Sequence, residues 1–380
     1  MSPINSLKNF LKQEGSSGIV LIIAALGGMI VANSPLKDIY NRALTANFTI
    51  DISFFYLSLT TAKIINYLLM SLFFLVVGME IKRELISGHL SGLKKATAPF
   101  AAALGGMLIP ALIYLIIVNE EGKIGWAIPV ATDIALAIGV LTLMGDRVSL
   151  AMKAFLLALA VIDDIGAIAI IAIFYSKNVD IKWVILGLLM SGIIYFLFKS
   201  GIKSKLFFAL SAFLLWYSFY RAGVHPTLAG VLLGFVMPTS ESLEDRLHPW
   251  SSYLVVPLFA FANTGVEISK SAIADALNST IALGIFLGMV IGKPLGIYLF
   301  TMVAVKFKLA EKPEVHSNLS MIATGSAAGI GFTVAIFIAE LAFTDAKLQA
   351  LAIIAVIFSS LLSGLISVML HILGKSEASN

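Results

Sequence analysis

The sequence predicts an all-α polytopic membrane protein with about twelve transmembrane helices. Three observations carry this prediction. Hydrophobic residues make up 59% of the 380 positions and charged residues only 13%, roughly half the share of an ordinary soluble domain, so there is too little polar surface to face water. Apolar stretches of about 17 to 25 residues, enough to cross a hydrocarbon core as helices, recur along the whole chain. The few charges fall mostly between those stretches. With no cysteine, a disulfide framework, thiol catalysis and a thiolate metal site are excluded. No basic run exceeds two residues, so the net charge of +4 does not point to nucleic acid, and no resident cofactor is expected.

In chain order the candidate spans lie near 16–34, 60–81, 96–118, 122–144, 150–175, 181–199, 204–220, 223–237, 250–266, 280–306, 318–343 and 346–372. Ile4, Leu7 and Leu11 recur at helical spacing beside Lys8 and Lys12, which predicts a short helix over 1–15 lying on the membrane surface. The apolar run from Gly18 is read as a retained first span, because no small-residue cleavage site follows it. The connection at 35–59 contains Phe48–Phe54, where apolar and polar residues alternate as in a strand. A lone strand cannot satisfy its own edges. Either a small hairpin lies on the protein or strands pair across a dimer.

Orientation follows from the distribution of Lys and Arg. With the N-terminus inside, sixteen of the 26 fall on inner segments and nine on outer ones, Lys293 being left within a span. Both termini are therefore expected in the cytoplasm. No segment between the spans is long enough for a soluble domain, so 1–380 reads as one transporter domain.

Four charges stand near the centres of spans: Asp133, Asp163, Asp164 and Lys293. Each costs roughly 2.5–3.5 kcal/mol at mid-bilayer. A buried salt bridge of Lys293 with one aspartate would be the simplest structural explanation. Three carboxylates against one lysine leave an excess, however, and suggest a site whose counter-charge is mobile, a cation or a proton. Asp163 and Asp164 are adjacent on a helix and point about 100° apart, so one can meet a facing helix while the other faces a cavity. Two close carboxylates in a low-dielectric site do not both ionise easily, and their oxygens suit a hard cation.

Two spans carry helix breakers at their middles. The fourth has Pro129, which lacks an N–H, followed by Thr132 and Asp133, both N-cap residues. The eleventh has Gly325, Gly329 and Gly331. Irregular backbone at this depth survives only where protein buries it or it lines a cavity. The broken spans occupy the middle of two triplets, 96–175 and 280–372, which points to inverted-topology repeats with a site at the midplane. Broken ends carry partial charges, which Asp133 could offset at N-termini and Lys293 at C-termini.

Ala131-Thr-Asp-Ile-Ala, Val161-Ile-Asp-Asp-Ile-Gly-Ala167, Phe73-Phe-Leu-Val-Val-Gly-Met-Glu-Ile-Lys-Arg-Glu-Leu85, Val224-His-Pro-Thr-Leu-Ala-Gly230, Pro257-Leu-Phe-Ala-Phe-Ala-Asn263, Gly292-Lys-Pro-Leu-Gly296 and Gly329-Ile-Gly-Phe-Thr333 together resemble the NhaA-type bacterial Na⁺/H⁺ antiporters, over nearly the whole chain. The resemblance implies two discontinuous helices crossing at the midplane, with 181–266 supplying interface helices. It implies an inner-membrane transporter, not an enzyme, that exchanges about two inward protons for one outward Na⁺ or Li⁺ and is activated at alkaline pH. Asp163 and Asp164 would bind the cation in alternation with protons, Lys293 would pair with Asp163, and Asp133 and Thr132 would belong to the crossing. A homodimer joined through periplasmic β structure is implied as well. Candidate pH-responsive groups are Glu80, Arg83 and Glu84 at the inner end of the second span, Glu241, Glu244, Asp245 and His248 in an inner loop, and His225 at an outer turn. The chain departs from the pattern at Asn66-Tyr67, where some members carry a carboxylate.

Two rivals compete with exchange. A transporter of the same architecture could couple Na⁺ to an organic anion, but Lys293 among the carboxylates favours protons. An intramembrane aspartyl protease needs two acids on facing helices, whereas here the pair is adjacent and no Gly-x-Gly-Asp sequence occurs.

Overall fold

The computed structural model describes residues 3–52, 55–88, 90, 92–176, 178–201, 204–238, 241–311 and 317–377. Helix occupies all twelve predicted stretches, but not all as full spans. Among the described residues seven helices are long and apolar enough to cross a membrane, and two bent pairs raise the number to nine. The chain is thus a multi-pass membrane protein, and seven to nine of the twelve expected spans stand as full-length apolar helices among the described residues. The remaining stretches hold shorter helices for local reasons. Lys205–Ala222 stops at Gly223, which takes φ +73°, a left-handed cap that glycine adopts without a Cβ clash. Thr227–Val236 is held to ten residues between Pro226 and Pro238, the latter biasing the residue before it out of the helical region. Between Pro249 and Asn263 a π-helical turn, Ser251–Val255, runs into the eight-residue helix Val256–Asn263.

The helices are numbered in chain order. α1 is Pro3–Ala32 and α2 is Lys37–Thr45. After the strands β1 (Asn47–Ile52) and β2 (Phe55–Thr60) come α3 (Thr61–Ile86) and α4 (Leu93–Ile117). A 3₁₀ helix, Glu120–Val130, precedes α5 (Ile134–Leu143). α6 is Leu150–Phe174 and α7 Ile181–Lys199; α8, α9, α10 and α11 are Lys205–Ala222, Thr227–Val236, Glu241–Trp250 and Val256–Asn263. α12 is Lys270–Asn278 and α13 is Thr280–Lys306. α14 (Asn318–Ala328), α15 (Phe332–Ala342) and α16 (Ala346–Glu377) complete the chain. α1 departs from expectation: the stretch expected to lie apart on the membrane surface is continuous with the first span, with no break from Pro3 to Ala32.

The chain divides into two compact units. The first comprises Met1–Val20, Glu84–Ala167 and Val266–Asn380. Here α4 and α13 approach so closely that a Cβ on Gly105 would strike the Gly296 carbonyl, and one on Gly296 the Gly105 carbonyl. Small residues at such a crossing let two backbones touch. The contact fixes α13 less than one turn beyond Lys293. A π-helical turn, Gly288–Gly292, lies directly before that lysine. Ala102, Ile138, Leu156, Leu159, Ile297 and Ala327 form the adjoining core.

The second unit comprises Leu21–Arg83 and Ile168–Gly265. Within α3 a π-helical stretch, Ile64–Leu69, carries Asn66. Its amide exchanges two hydrogen bonds with Asn263 of α11, at 3.0 and 2.9 Å, and both side chains are buried. β1 and β2 pair antiparallel from Asn47↔Thr60 to Ile52↔Phe55, so the alternation expected of one strand belongs to a hairpin. Every residue of β1 is exposed. Ser53 and Phe54, where the alternation ends, lie outside the described residues, as do the side chains of Lys8, Lys12 and Glu241.

Candidate functional site

The four mid-span charges, far apart in sequence, all lie in the first unit. The two bent pairs, Glu120–Val130 with α5 and α14 with α15, turn by 48° and 47° at their breaks. The breaks meet. The Asp133 N–H donates to the Ile330 carbonyl at 2.6 Å. A Cβ on Gly331 would lie 2.8 Å from the Ala131 carbonyl oxygen, one on Gly329 2.6 Å from that of Met289, and one on Gly325 2.9 Å from Cα of Pro294. The glycines are there for close approach, and none takes a positive φ. Pro129 falls in the last turn of the 3₁₀ helix, where the sequence alone gives no reason to prefer the tighter winding.

Asp133, rather than Thr132, caps α5: its Oδ1 accepts from the Leu136 N–H at 3.1 Å. Its Oδ2 accepts from the N–H and the hydroxyl of Thr333 at 3.1 and 2.5 Å, in the first turn of α15. One carboxylate therefore terminates two helix N-termini, where the partial charge is positive. The C-terminal ends of the preceding halves are met by different groups. Lys293 Nζ donates to the Val130 carbonyl. The Thr132 hydroxyl lies 3.0 Å from the Ala328 carbonyl and 2.7 Å from Asp163 Oδ2, and its proton serves one of them at a time.

Asp163 on α6 is the hub. Its Oδ2 accepts from Lys293 Nζ at 2.6 Å, and both side chains are shut off from solvent. Its Oδ1 is buried with no hydrogen-bond partner among the described residues. Leaving a buried carboxylate oxygen unsatisfied is costly, and such exceptions call for an explanation such as an ion or water. Asp164, the next residue, is also buried. The helix-end role that the sequence offered for Asp133 matches the hydrogen bonds it accepts at the starts of α5 and α15. Thr333 and the Val130 carbonyl were missed. A threonine in an apolar run carries no signal of its own, and a carbonyl carries none at all.

The other candidates lie elsewhere. In the second unit Arg83 forms an ion pair with Glu244, and His248 Nε2 lies 3.6 Å from Glu80 Oε1. Lys82 Nζ donates to the Met237 carbonyl at 2.5 Å. Asp245 is exposed. Glu84, buried, belongs to the first unit. His225 sits in the turn between α8 and α9, with Nδ1 2.7 Å from Thr227 Oγ1 and its ring edge-on to Tyr67 at 5.0 Å. Burial pushes this imidazole down to a pKa of about 3.

Paired broken helices around a buried lysine–carboxylate pair are an arrangement that secondary transporters use to hold small ions at the midplane. Residues 8–371 match the family described as Na⁺/H⁺ antiporter 1. The chain is 43% identical over 373 residues to the Na(+)/H(+) antiporter NhaA of Shewanella frigidimarina, covering 95% of this chain and 94% of that one. It is 44% identical over 352 residues to that of Serratia proteamaculans and 45% over 354 to that of Yersinia enterocolitica, each alignment covering 90% of both chains. The chain belongs to the Na⁺/H⁺ antiporter 1 family.

Proposed function

We propose that the chain is an electrogenic Na⁺/H⁺ antiporter of the bacterial inner membrane, carrying Na⁺ or Li⁺ outward against about two protons. The single observation that supports this best is Asp163, half engaged by Lys293 and Thr132 and half unfilled, beside Asp164. A hard cation entering at Oδ1 brings the positive charge that Lys293 otherwise supplies, so the two compete for one carboxylate. With the cation bound, the ammonium loses its counter-charge and its proton becomes labile. Asp164 supplies the second carboxylate, which holds a proton when the cation is absent. Thr132 can turn its hydroxyl from Asp163 to Ala328, freeing an oxygen for the ion. Two protons inward for one cation outward moves one net charge inward.

On this reading the triplets 96–175 and 280–372 are inverted repeats, and both termini are cytoplasmic. Glu80, Arg83, Glu84, Glu241, Glu244, Asp245 and His248 tune the response to alkaline pH at the inner mouth. Within the second unit, the ion pair of Arg83 with Glu244 and the approach of His248 to Glu80 support grouping these four. Phe48, Ile50 and Ile52 project from β1 with about half their surface exposed, which favours the hairpin as the contact of a homodimer. The test uses everted vesicles with a pre-formed pH gradient: Na⁺ or Li⁺ collapses it with the wild type and not with Asp164→Asn. A well-folded wild type that leaves the gradient untouched would falsify the exchange.

A further inference from the structure

One carboxylate inside a span lies apart from the Asp163–Lys293 site. Glu340 lies in the last turn of α15, among the buried residues Ile338, Ala339 and Ala342. It stands seven residues beyond Thr333. Seven residues are nearly two full turns, so the two share a face of α15, about 10 Å apart along its axis. Between them on that face are Ile336 and Phe337, both fully buried. The face therefore runs from Thr333 on Asp133, through an apolar plug of two large side chains, to a part-exposed carboxylate.

This is an adverse place for an anion. The C-terminal end of a helix carries partial negative charge and favours cations in its last turn, and carboxylates within spans are costly wherever they face apolar groups. Gln349, in the first turns of α16, is the polar side chain set against the Glu340 carboxylate, but an amide does not cancel a charge. Lys347, the nearest cation in sequence, reaches Asp275 instead, at 2.9 Å. A proton or a monovalent cation is what would relieve such a group.

We propose that Glu340, with Gln349, is an outer waypoint of the exchange, a carboxylate–amide site that takes the Na⁺ leaving past the Ile336–Phe337 plug and gives up a proton in return. The inference rests on the exchange reading and on the C-terminal end of α15 facing outward. Lying beyond the plug, the site sets cation affinity at the outer face and leaves the inner face unchanged.

Because the chain has no cysteine, Glu340→Cys is a single-cysteine protein. The full chain is reconstituted into liposomes of sorted orientation, and half-saturating Na⁺ is measured separately at each face for wild type, Glu340→Gln and Glu340→Cys. The expected result is a several-fold rise at the outer face in both variants, with the inner value and the maximal rate within about twofold of wild type. Labelling Glu340→Cys from outside with an anionic sulfonatoethyl thiosulfonate restores the outer value, while a trimethylammonium reagent does not. A purely structural role would not distinguish the two reagents. The waypoint is overturned by an unchanged outer value in active variants, by equal changes at both faces, by failure to label from outside, or by equal effects of both reagents. Absence of exchange in the wild type would instead remove the exchange reading itself. If Glu340→Gln does not fold, Glu340→Cys carries the same comparison.

Discussion

Asp133 terminates two helices with one side chain, and the loss of a single cap typically costs about 1 kcal/mol, with 2 as an upper figure. Asp133→Ala removes both caps and should lower stability by about 2–4 kcal/mol, read as a fall in the thermal midpoint in detergent. Asp133→Asn keeps acceptor oxygen and should recover most of it. A thermal midpoint for Asp133→Ala equal to wild type would remove the capping role. His225 gives a pH prediction of definite sign. Its folded pKa of about 3 lies below the ordinary 6.5, so the unfolded chain binds the proton more readily. The stability this contributes is complete above about pH 6.5 and is lost progressively as pH falls toward 3. Thermal midpoints from pH 8 to pH 4 should therefore drop less for His225→Gln than for wild type. At alkaline pH the imidazole is neutral, so any part it plays there comes through contacts such as those with Thr227 and Tyr67 rather than through charge. The mid-span charges were legible because apolar surroundings make them outliers. The unfilled oxygen of Asp163 was not, since it depends on where Lys293 and Thr132 arrive from distant segments.

The two broken elements are defined by what their residues cannot do. Pro129 cannot donate, and Gly329 and Gly331 permit an approach that no Cβ would allow. Gly331→Ala must displace the Ala131 carbonyl, and overpacking of this kind costs about 1–3 kcal/mol. The expected outcome is a lower thermal midpoint together with slower Na⁺-driven proton movement. A variant that matches wild type in both would show that the breaks can separate freely. The positions of both breaks could be read from sequence, because Pro and clustered Gly have direct backbone consequences. That the first half winds as a 3₁₀ helix could not, because Glu120–Val130 contains nothing that forbids an α-helix before Pro129. The short α9 was legible in part: the apolar stretch at 223–237 is already shorter than a full span, and the prolines on either side trim its helix to ten residues.

At the scale of the whole molecule the proposed stoichiometry would couple the exchange to voltage. One net charge crossing 100 mV is worth about 2.3 kcal/mol, or about fiftyfold in a concentration ratio, which sustains sodium extrusion when the outside is alkaline. If the Lys293 proton is one of those carried, Lys293→Ala should reduce the charge moved per cation. Currents from a supported membrane, compared with cation flux at equal protein, measure this. An unchanged ratio would confine Lys293 to offsetting the Val130 carbonyl and pairing with Asp163. Two-unit organisation was only partly legible in the sequence. Corresponding breaks suggest repeats at 96–175 and 280–372, and both stretches fall largely in the first unit, but that the first span is divided between units has no local signature.

The double cap at Asp133 also constrains how the protein can move. Separating α5 from α15 would strip the Thr333 bonds from Oδ2 in apolar surroundings and leave the start of α15 without its cap, while the Leu136 bond to Oδ1 stays with α5. The two helices therefore travel as a single lever, and Asp133 is its pivot pin. A change of ion access that keeps these bonds would move α5 and α15 as one piece, with the geometry around the pin preserved.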